Sequence, residues 1–290
     1  MRITAIYIIL LLILASCEEV SKIYVPYDGD KIVVNSFIQP DSLVYIRVTQ
    51  SKQIRDSGNL TFPELQNAVV TLTEDGVALP APRWKILNGR GYFVSSAAAK
   101  AGKSYRITVA AKDLDAVAAA DSTPARPMVS NISAQSDVSR LRFTIQDDPN
   151  TRNYYRIRFF RADEINGVLV RNIKDTIRCR LDPAFSNNLI DMLGDTYFSD
   201  ITITDRLFTN SVSSFILQTQ GRLKSSGYLI LEVSGLTEGA YKYLQATSDQ
   251  RQGEEGIDFA LDPVNVYSNV ENGYGIVAGI NAVSLSVLVE

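Results

Sequence analysis

The chain has 290 residues, of which 46% are hydrophobic and 21% charged, a balance that supports an ordinary globular core. Its formal net charge of −3 gives no global attraction to nucleic acid or to an anionic membrane surface. It holds no histidine and only two cysteines, which excludes Ser-His-Asp and Cys-His catalysis, imidazole metal sites and a disulfide framework.

Residues 1–16 read as a secretory signal: Arg2, an apolar run from Ala5 to Leu14, then the small residues Ala15 and Ser16 before Cys17. A helix of that run spans roughly 15 to 18 Å, well short of the ~30 Å core of a bilayer, so it is built to be removed. Leu14-Ala15-Ser16-Cys17 resembles the lipobox of bacterial lipoproteins, in which the cysteine is acylated after cleavage just before it. Two or three acyl chains on Cys17 would hold the chain to a membrane stably, where one chain would not. Glu18 and Glu19 look like the acidic export signals that carry lipoproteins of the Bacteroidota to the outer face of the outer membrane. Residues 17–30, with Pro26, Asp28 and Gly29, read as an anchor and short tether.

Residues 31–122 are expected to form an N-terminal β-sandwich. Lys31–Ile38 is β-rich, the turn Pro40-Asp41-Ser42 leads from it into Leu43–Thr49, and the pair reads as a hairpin. Strands follow at Ala68–Thr73, around Trp84, at Tyr92–Val94 and at Ser104–Ala110, with turns at Asp75-Gly76 and Gly89-Arg90-Gly91. A strand from Asn67, a glycine-tyrosine step and a strand beginning near a tyrosine resemble the immunoglobulin-like and transthyretin-like modules of bacterial surface proteins. Pro124 and Pro127, among small residues, mark 123–128 as a linker.

Residues 129–290 are expected to form a C-terminal β-rich domain, so that the mature protein is mostly β, with two sandwich-like domains. Leu141–Gln146 and Tyr154–Arg161 alternate and are expected to pair antiparallel across the turn Asp147–Asn150. The stretch from Asp182 to Asp205 reads as an acidic loop, and Ser214–Gln218 and Tyr228–Val233 as central strands. One helix is expected near 237–251, capped by Thr237. An alternating strand from Ala282 to Val289 is expected to complete a sheet.

Few motifs carry chemistry. Carboxylate pairs and a Ser-Lys dyad survive the absence of histidine, and neither has a local motif; no catalytic residue, cofactor or metal is expected. Asp191, Asp195, Asp200 and Asp205 lack the spacing of a calcium loop. Gly273–Gly279 lacks the strand-to-helix context of a dinucleotide loop. Cys179, on the apolar side of Thr176–Leu181, reads as a small buried hydrophobe. Arg142, Arg156, Arg158, Arg178 and Arg180 all fall on the polar side of their strands. If those strands are neighbours they form a basic face, either paired with cross-strand acids or free to meet an anionic partner.

The segment Asp262–Gly279, with Asn272-Gly273-Tyr274-Gly275 at its centre, resembles the hallmark of a Bacteroidota lipoprotein family called domain of unknown function 4249. Lys31–Asn35, Asn67–Leu72, Asp147-Asp148-Pro149 with Asn153-Tyr154-Tyr155, and Tyr241–Leu244 agree with it. The resemblance implies an outer-membrane lipoprotein encoded beside a TonB-dependent receptor, hence a non-catalytic accessory of nutrient uptake. It brings no catalytic residues. In the hallmark itself, Asn272-Gly273 permits a tight turn while Gly275 and Gly279 permit close backbone approach; the alternative is a loop that contacts the receptor. Two further classes stand beside the uptake accessory. A glycan-binding lipoprotein would need Trp84 and tyrosines as exposed platforms, and a fimbrial subunit would need a C-terminal strand loose enough to exchange.

Overall fold

Apolar residues at every second position build the first sandwich. Ile32, Val34 and Ile38 of β1 (Ile32–Ile38) and Val44, Ile46 and Val48 of β2 (Leu43–Gln50) all point inward. They meet Val70 and Leu72 of β3 (Val69–Glu74) and Tyr105, Ile107 and Val109 of β7 (Ser104–Ala110). The structure is a computed structural model that describes residues 27, 29–53, 61–182, 196–208, 211–255 and 266–290. With β4 (Val77–Ala78), β5 (Arg83–Leu87), β6 (Arg90–Ala98) and β8 (Val117–Ser122), the strand orders are β1-β2-β6-β5 in one layer and β4-β3-β7-β8 in the other. That is the A-B-E-D against C′-C-F-G arrangement of an immunoglobulin sandwich, as the sequence suggested. Tyr105 adds the corner typical of such folds: its hydroxyl accepts from the Lys100 N–H at 2.7 Å and donates to Glu74 at 2.6 Å. Burial, with the Glu74 carboxylate beside it, pushes this hydroxyl's pKa up to about 12. Asn88 and Gly89, at φ 50° and 75°, form the tight turn between β5 and β6.

The second sandwich repeats the arrangement. β9 (Met128–Gln135), β10 (Arg140–Gln146), β15 (Val212–Thr219) and β13 (Cys179–Leu181) form a four-stranded sheet in the order β13-β15-β10-β9. Facing it are β12 (Val168–Ile177), β11 (Tyr154–Ile165), β16 (Tyr228–Leu236) and β17 (Tyr274–Leu288), with β14 (Ile201–Thr204) beside β11. The expected pairing of Leu141–Gln146 with Tyr154–Arg161 is not made. β10 pairs with β9 and β15, whereas β11 pairs with β12, β14 and β16. The two strands face each other across the core, where the Phe143 and Phe159 rings lie 6.0 Å apart. Alternation marks an inner face but does not say whether the next strand lies alongside or opposite. Asp147 holds the crossover, accepting from the Tyr155 hydroxyl at 2.5 Å and from Asn153 Nδ2 at 2.9 Å. β14 occupies part of the expected acidic loop, of which Asp191 and Asp195 lie outside the described residues.

β17 joins the two sandwiches. Its first part runs parallel to β1, from Val33↔Tyr274 to Ile38↔Gly279, and its remainder runs antiparallel to β16, from Leu236↔Ile280 to Tyr228↔Leu288. One nine-stranded sheet therefore runs through both sandwiches. Each sandwich has its own core: one draws on residues between Ile32 and Ala119 together with Val270 and Val277, the other on residues between Ala134 and Val289. Residues 123–128, expected as a linker, are fastened down. Thr123 is buried and bonded to Lys100 and Lys103, and Asn281 Nδ2 donates to the Pro124 carbonyl at 3.0 Å.

The helix α1 (Glu238–Glu255) occupies the connection from β16 to β17. Thr237 caps it, its hydroxyl accepting from the Ala240 N–H at 3.3 Å. Ala240, Tyr241, Tyr243 and Leu244 cover Tyr154, Leu236, Ile276, Ala278 and Ile280 on the outer face of the nine-stranded sheet. The Tyr243 ring also meets Phe37 of β1 edge-on at 6.0 Å, so the helix lies over the seam between the sandwiches.

Candidate functional site

The five arginines do not form one face. Arg142 and Arg180 lie on the outer side of the four-stranded sheet, while Arg156 and Arg158 lie on the outer side of the nine-stranded sheet. The core lies between the two sheets, so their polar sides look in opposite directions. Arg178 falls between β12 and β13 and donates from Nε and Nη2 to the Tyr197 carbonyl, at 3.1 and 2.8 Å. On the four-stranded face Arg180 Nε donates to Gln218 Oε1 at 2.9 Å, and the neighbouring Arg140 Nε donates to Asp182 Oδ2 at 2.6 Å.

The other face gathers its charges around one carboxylate. Glu232 sits at the centre of β16 with its side chain 3% exposed. Arg158, its cross-strand partner on β11, donates to Oε1 from Nε at 3.1 Å and again from Nη2. Arg171, from β12, donates to Oε2. Arg156 Nη2 lies 3.8 Å from Glu232 Oε1, and its Nη1 lies 4.0 Å from Asp200 Oδ2. Burial, then the neighbouring Arg158 guanidinium, lowers the pKa of Arg156. The Phe160 ring supports the cluster from within, with the Arg158 and Arg171 guanidinium carbons 5.2 and 5.7 Å from its centroid. Arg171 and Glu232 escaped the sequence reading, although an acid inside the apolar run Leu229–Val233 is itself a signal that partners must converge on it. The cluster ties β11, β12 and β16 together. Its arrangement is that of cross-strand pairing, one of the two readings the sequence left open.

The glycine-rich hallmark lies in β17. Tyr274–Gly279 is paired to β1, so that part is strand and not a free receptor-contacting loop. The close-approach reading holds. A Cβ on Gly275, whose φ is 105°, would fall 2.1 Å from the Val34 carbonyl oxygen, and one on Gly279 would fall 1.7 Å from that of Ser122. Asn272, at φ 60°, and Gly273 make the turn into the strand, while the exposed Tyr274 ring carries the Lys31 ammonium 5.2 Å from its centroid.

Other singled-out residues take structural places. Cys179 is 2% exposed, and burial pushes its thiol well above the ordinary range, which disfavours the reactive thiolate. Trp84 packs half-buried against the first core, its ring 5.1 Å from that of Phe93. Asp205 accepts from the Asn153 N–H at 2.6 Å. An open cleft of about 340 Å³, lined by Arg161, Asp175, Arg178 and Gln220 among others, is narrowed by the Arg161–Asp175 pair at 3.1 Å. Cys17 lies outside the described residues.

The model of a family described as "Domain of unknown function (DUF4249)" matches residues 18–286. No curated protein matches the chain. A solved structure titled "Cytokine receptor complex - Crystal form 1A" is similar at 12% identity, over 70% of this chain and 82% of that one, with a TM-score of 0.25. A score that low supports no conclusion about either protein.

Proposed function

The chain belongs to the family described as Domain of unknown function (DUF4249), and from that premise we propose that it is a surface-exposed lipoprotein of a Bacteroidota outer membrane. In this reading it serves as a non-catalytic binding accessory to a TonB-dependent uptake receptor. The observation that carries the reading is the meeting of two features at one point: the family match begins at residue 18, directly after Leu14-Ala15-Ser16-Cys17. The acyl chains of Cys17 supply the membrane attachment, and the tandem sandwich supplies surface for a protein partner. Two observations count against the other classes. Trp84 leans half-buried on the first core, which leaves less of its ring open to a sugar than a platform needs. The C-terminal strand is hydrogen-bonded to β16 along Ile280–Leu288, where a donated strand would be loose.

Two measurements test the reading at different steps. Cys17→Ala should fold yet leave the outer-membrane fraction, and its retention there would sink the anchor. Pull-down of the intact lipoprotein from detergent-solubilised outer membrane should recover a TonB-dependent receptor; recovery of the bait alone would remove the accessory role.

A further inference from the structure

One end of the first sandwich carries an uncommon surface. β1 begins there at Ile32, paired with Gln50 at the end of β2. The β5–β6 turn lies at the same end, because Glu64, bridged to Thr49, also accepts from the Gly91 N–H at 3.0 Å. The other layer arrives there too: Val69 at the start of β3 pairs with Ala110, and a Cβ on Gly273 would lie 2.5 Å from the Ile32 carbonyl and 2.8 Å from Val117 at the start of β8. Large apolar side chains stand in the open at this end, on strands of both layers. Ile86 is 71% exposed, Val69 67%, Phe62 50%, Tyr274 45% and Leu87 37%. Five exposed apolar side chains at one end of a sandwich are more than single scattered ones, and a concentration of this kind points to a contact surface. Lys52, Arg90 and Lys112 stand exposed at this end, as do Asp113, Asp115 and Glu271. Aliphatic tips flanked by tyrosine, lysine and arginine make up the side-chain set that settles at a membrane–water boundary.

What lies over this end is indicated by the chain itself. Tyr27, the first described residue, precedes β1 by a few positions and bonds to Asp30, which in turn accepts from Gln50 at 2.6 Å. The ten residues from Cys17 to Pro26 can reach at most about 35 Å, and they enter the sandwich at this end. We propose that this end of the first sandwich, led by the β5–β6 turn with Ile86 and Leu87, rests in the interface of the bilayer that holds the Cys17 acyl chains. The inference rests on the lipid anchor proposed above. It turns a tethered body into an oriented one: β17, at 15 residues, carries the second sandwich about 50 Å along the sheet and away from the membrane.

The test uses the full-length lipoprotein in vesicles of phosphatidylethanolamine and phosphatidylglycerol, with Ile86→Cys bearing a polarity-sensitive fluorophore. Cys179 is buried and does not compete for the label. Val138→Cys, in the β9–β10 turn at the far end of the second sandwich, is the reference position. Residue 86 should shift its emission to the blue on reconstitution and lose intensity when the lipids carry brominated chains, whereas residue 138 should do neither. Adding Phe62→Ser and Leu87→Ser should shrink the shift. Protein that floats with the vesicles while residue 86 still reports water overturns this contact and leaves the anchor standing. Protein that does not float overturns both. A protein partner at this end, in place of lipid, gives the first of those two results.

Discussion

Glu232 is the residue on which the outer face of the second sandwich depends. Three guanidinium groups from two strands converge on it, and its carboxylate is buried. Removing the acid leaves Arg156 buried beside Arg158 with one carboxylate, Asp200, in reach. Glu232→Ala should therefore lower stability by about 2–3 kcal/mol, less than for a fully enclosed pair because Arg158 and Arg171 are partly wetted. A urea midpoint within error of the parent would show that the cluster contributes nothing. Asp121 presents the opposite case. Its carboxylate accepts from the Ser122 N–H at 2.8 Å, the Gly279 N–H at 3.0 Å and the Thr237 hydroxyl, yet burial outweighs these bonds and raises its pKa above the ordinary 3.8. A raised value means that the folded state holds the proton more tightly than the unfolded chain. Its contribution is then complete below the ordinary value and is lost as pH rises through the folded one. Asp121→Asn does not titrate, so its stability relative to the parent should improve as pH climbs from about 4 toward neutrality. Urea midpoints across that range check the sign, and a falling difference would refute it.

At the scale of elements, β-rich composition and alternation in the sequence located many of the strands, because a half-buried strand must repeat every second residue. β1, β2, β3, β7, β10, β11 and β15 were legible on that ground, and β16, buried on both faces, was legible as an apolar central strand. Their partners were not: Leu141–Gln146 and Tyr154–Arg161 each show an inner face, and a sandwich offers that face to a neighbour alongside or to one opposite. β8, built on Ala118-Ala119-Ala120 and running into Asp121-Ser122, was hidden by its resemblance to a linker, and β9 by the prolines just before it. Whether the scattered arginines share one surface was open in the sequence, because no spacing states which sheet a strand joins. The glycines of β17 were legible in another way, since Gly275 and Gly279 imply close approach whatever the topology. Gly279 gives the sharpest test of that reading. Its missing Cβ leaves room for the Ser122 carbonyl, and the Pro124 ring lies 3.0 Å from the same point. Backbone on one side and a ring on the other cannot retreat cheaply, so Gly279→Ala should cost about 3 kcal/mol or more. A thermal midpoint unchanged from the parent would mean that β17 shifts away from β8 at little cost.

Across the whole molecule, β17 decides whether the two sandwiches behave as one body. Val277 belongs to the first core, while Val283 and Val287 pack on the second, all within one continuous strand. The strand cannot leave β16 without also disturbing the parallel pairing to β1, and the helix covers both sides of that junction. Two sandwiches joined only by a loose connection would unfold separately; two that share a central strand lose both cores when it goes. The chain carries a probe for each half. Its single tryptophan, Trp84, packs on the first core, and Cys179 is buried in the second. Trp84 fluorescence and Cys179 thiol accessibility should therefore follow one transition in urea, with coincident midpoints and slopes. Glu232→Ala lies wholly within the second sandwich, yet in a coupled molecule it should draw the Trp84 transition down with that of Cys179. A Trp84 transition that stays in place while Cys179 becomes accessible earlier would show that β17 can part at the seam, leaving the first sandwich folded when the second is lost.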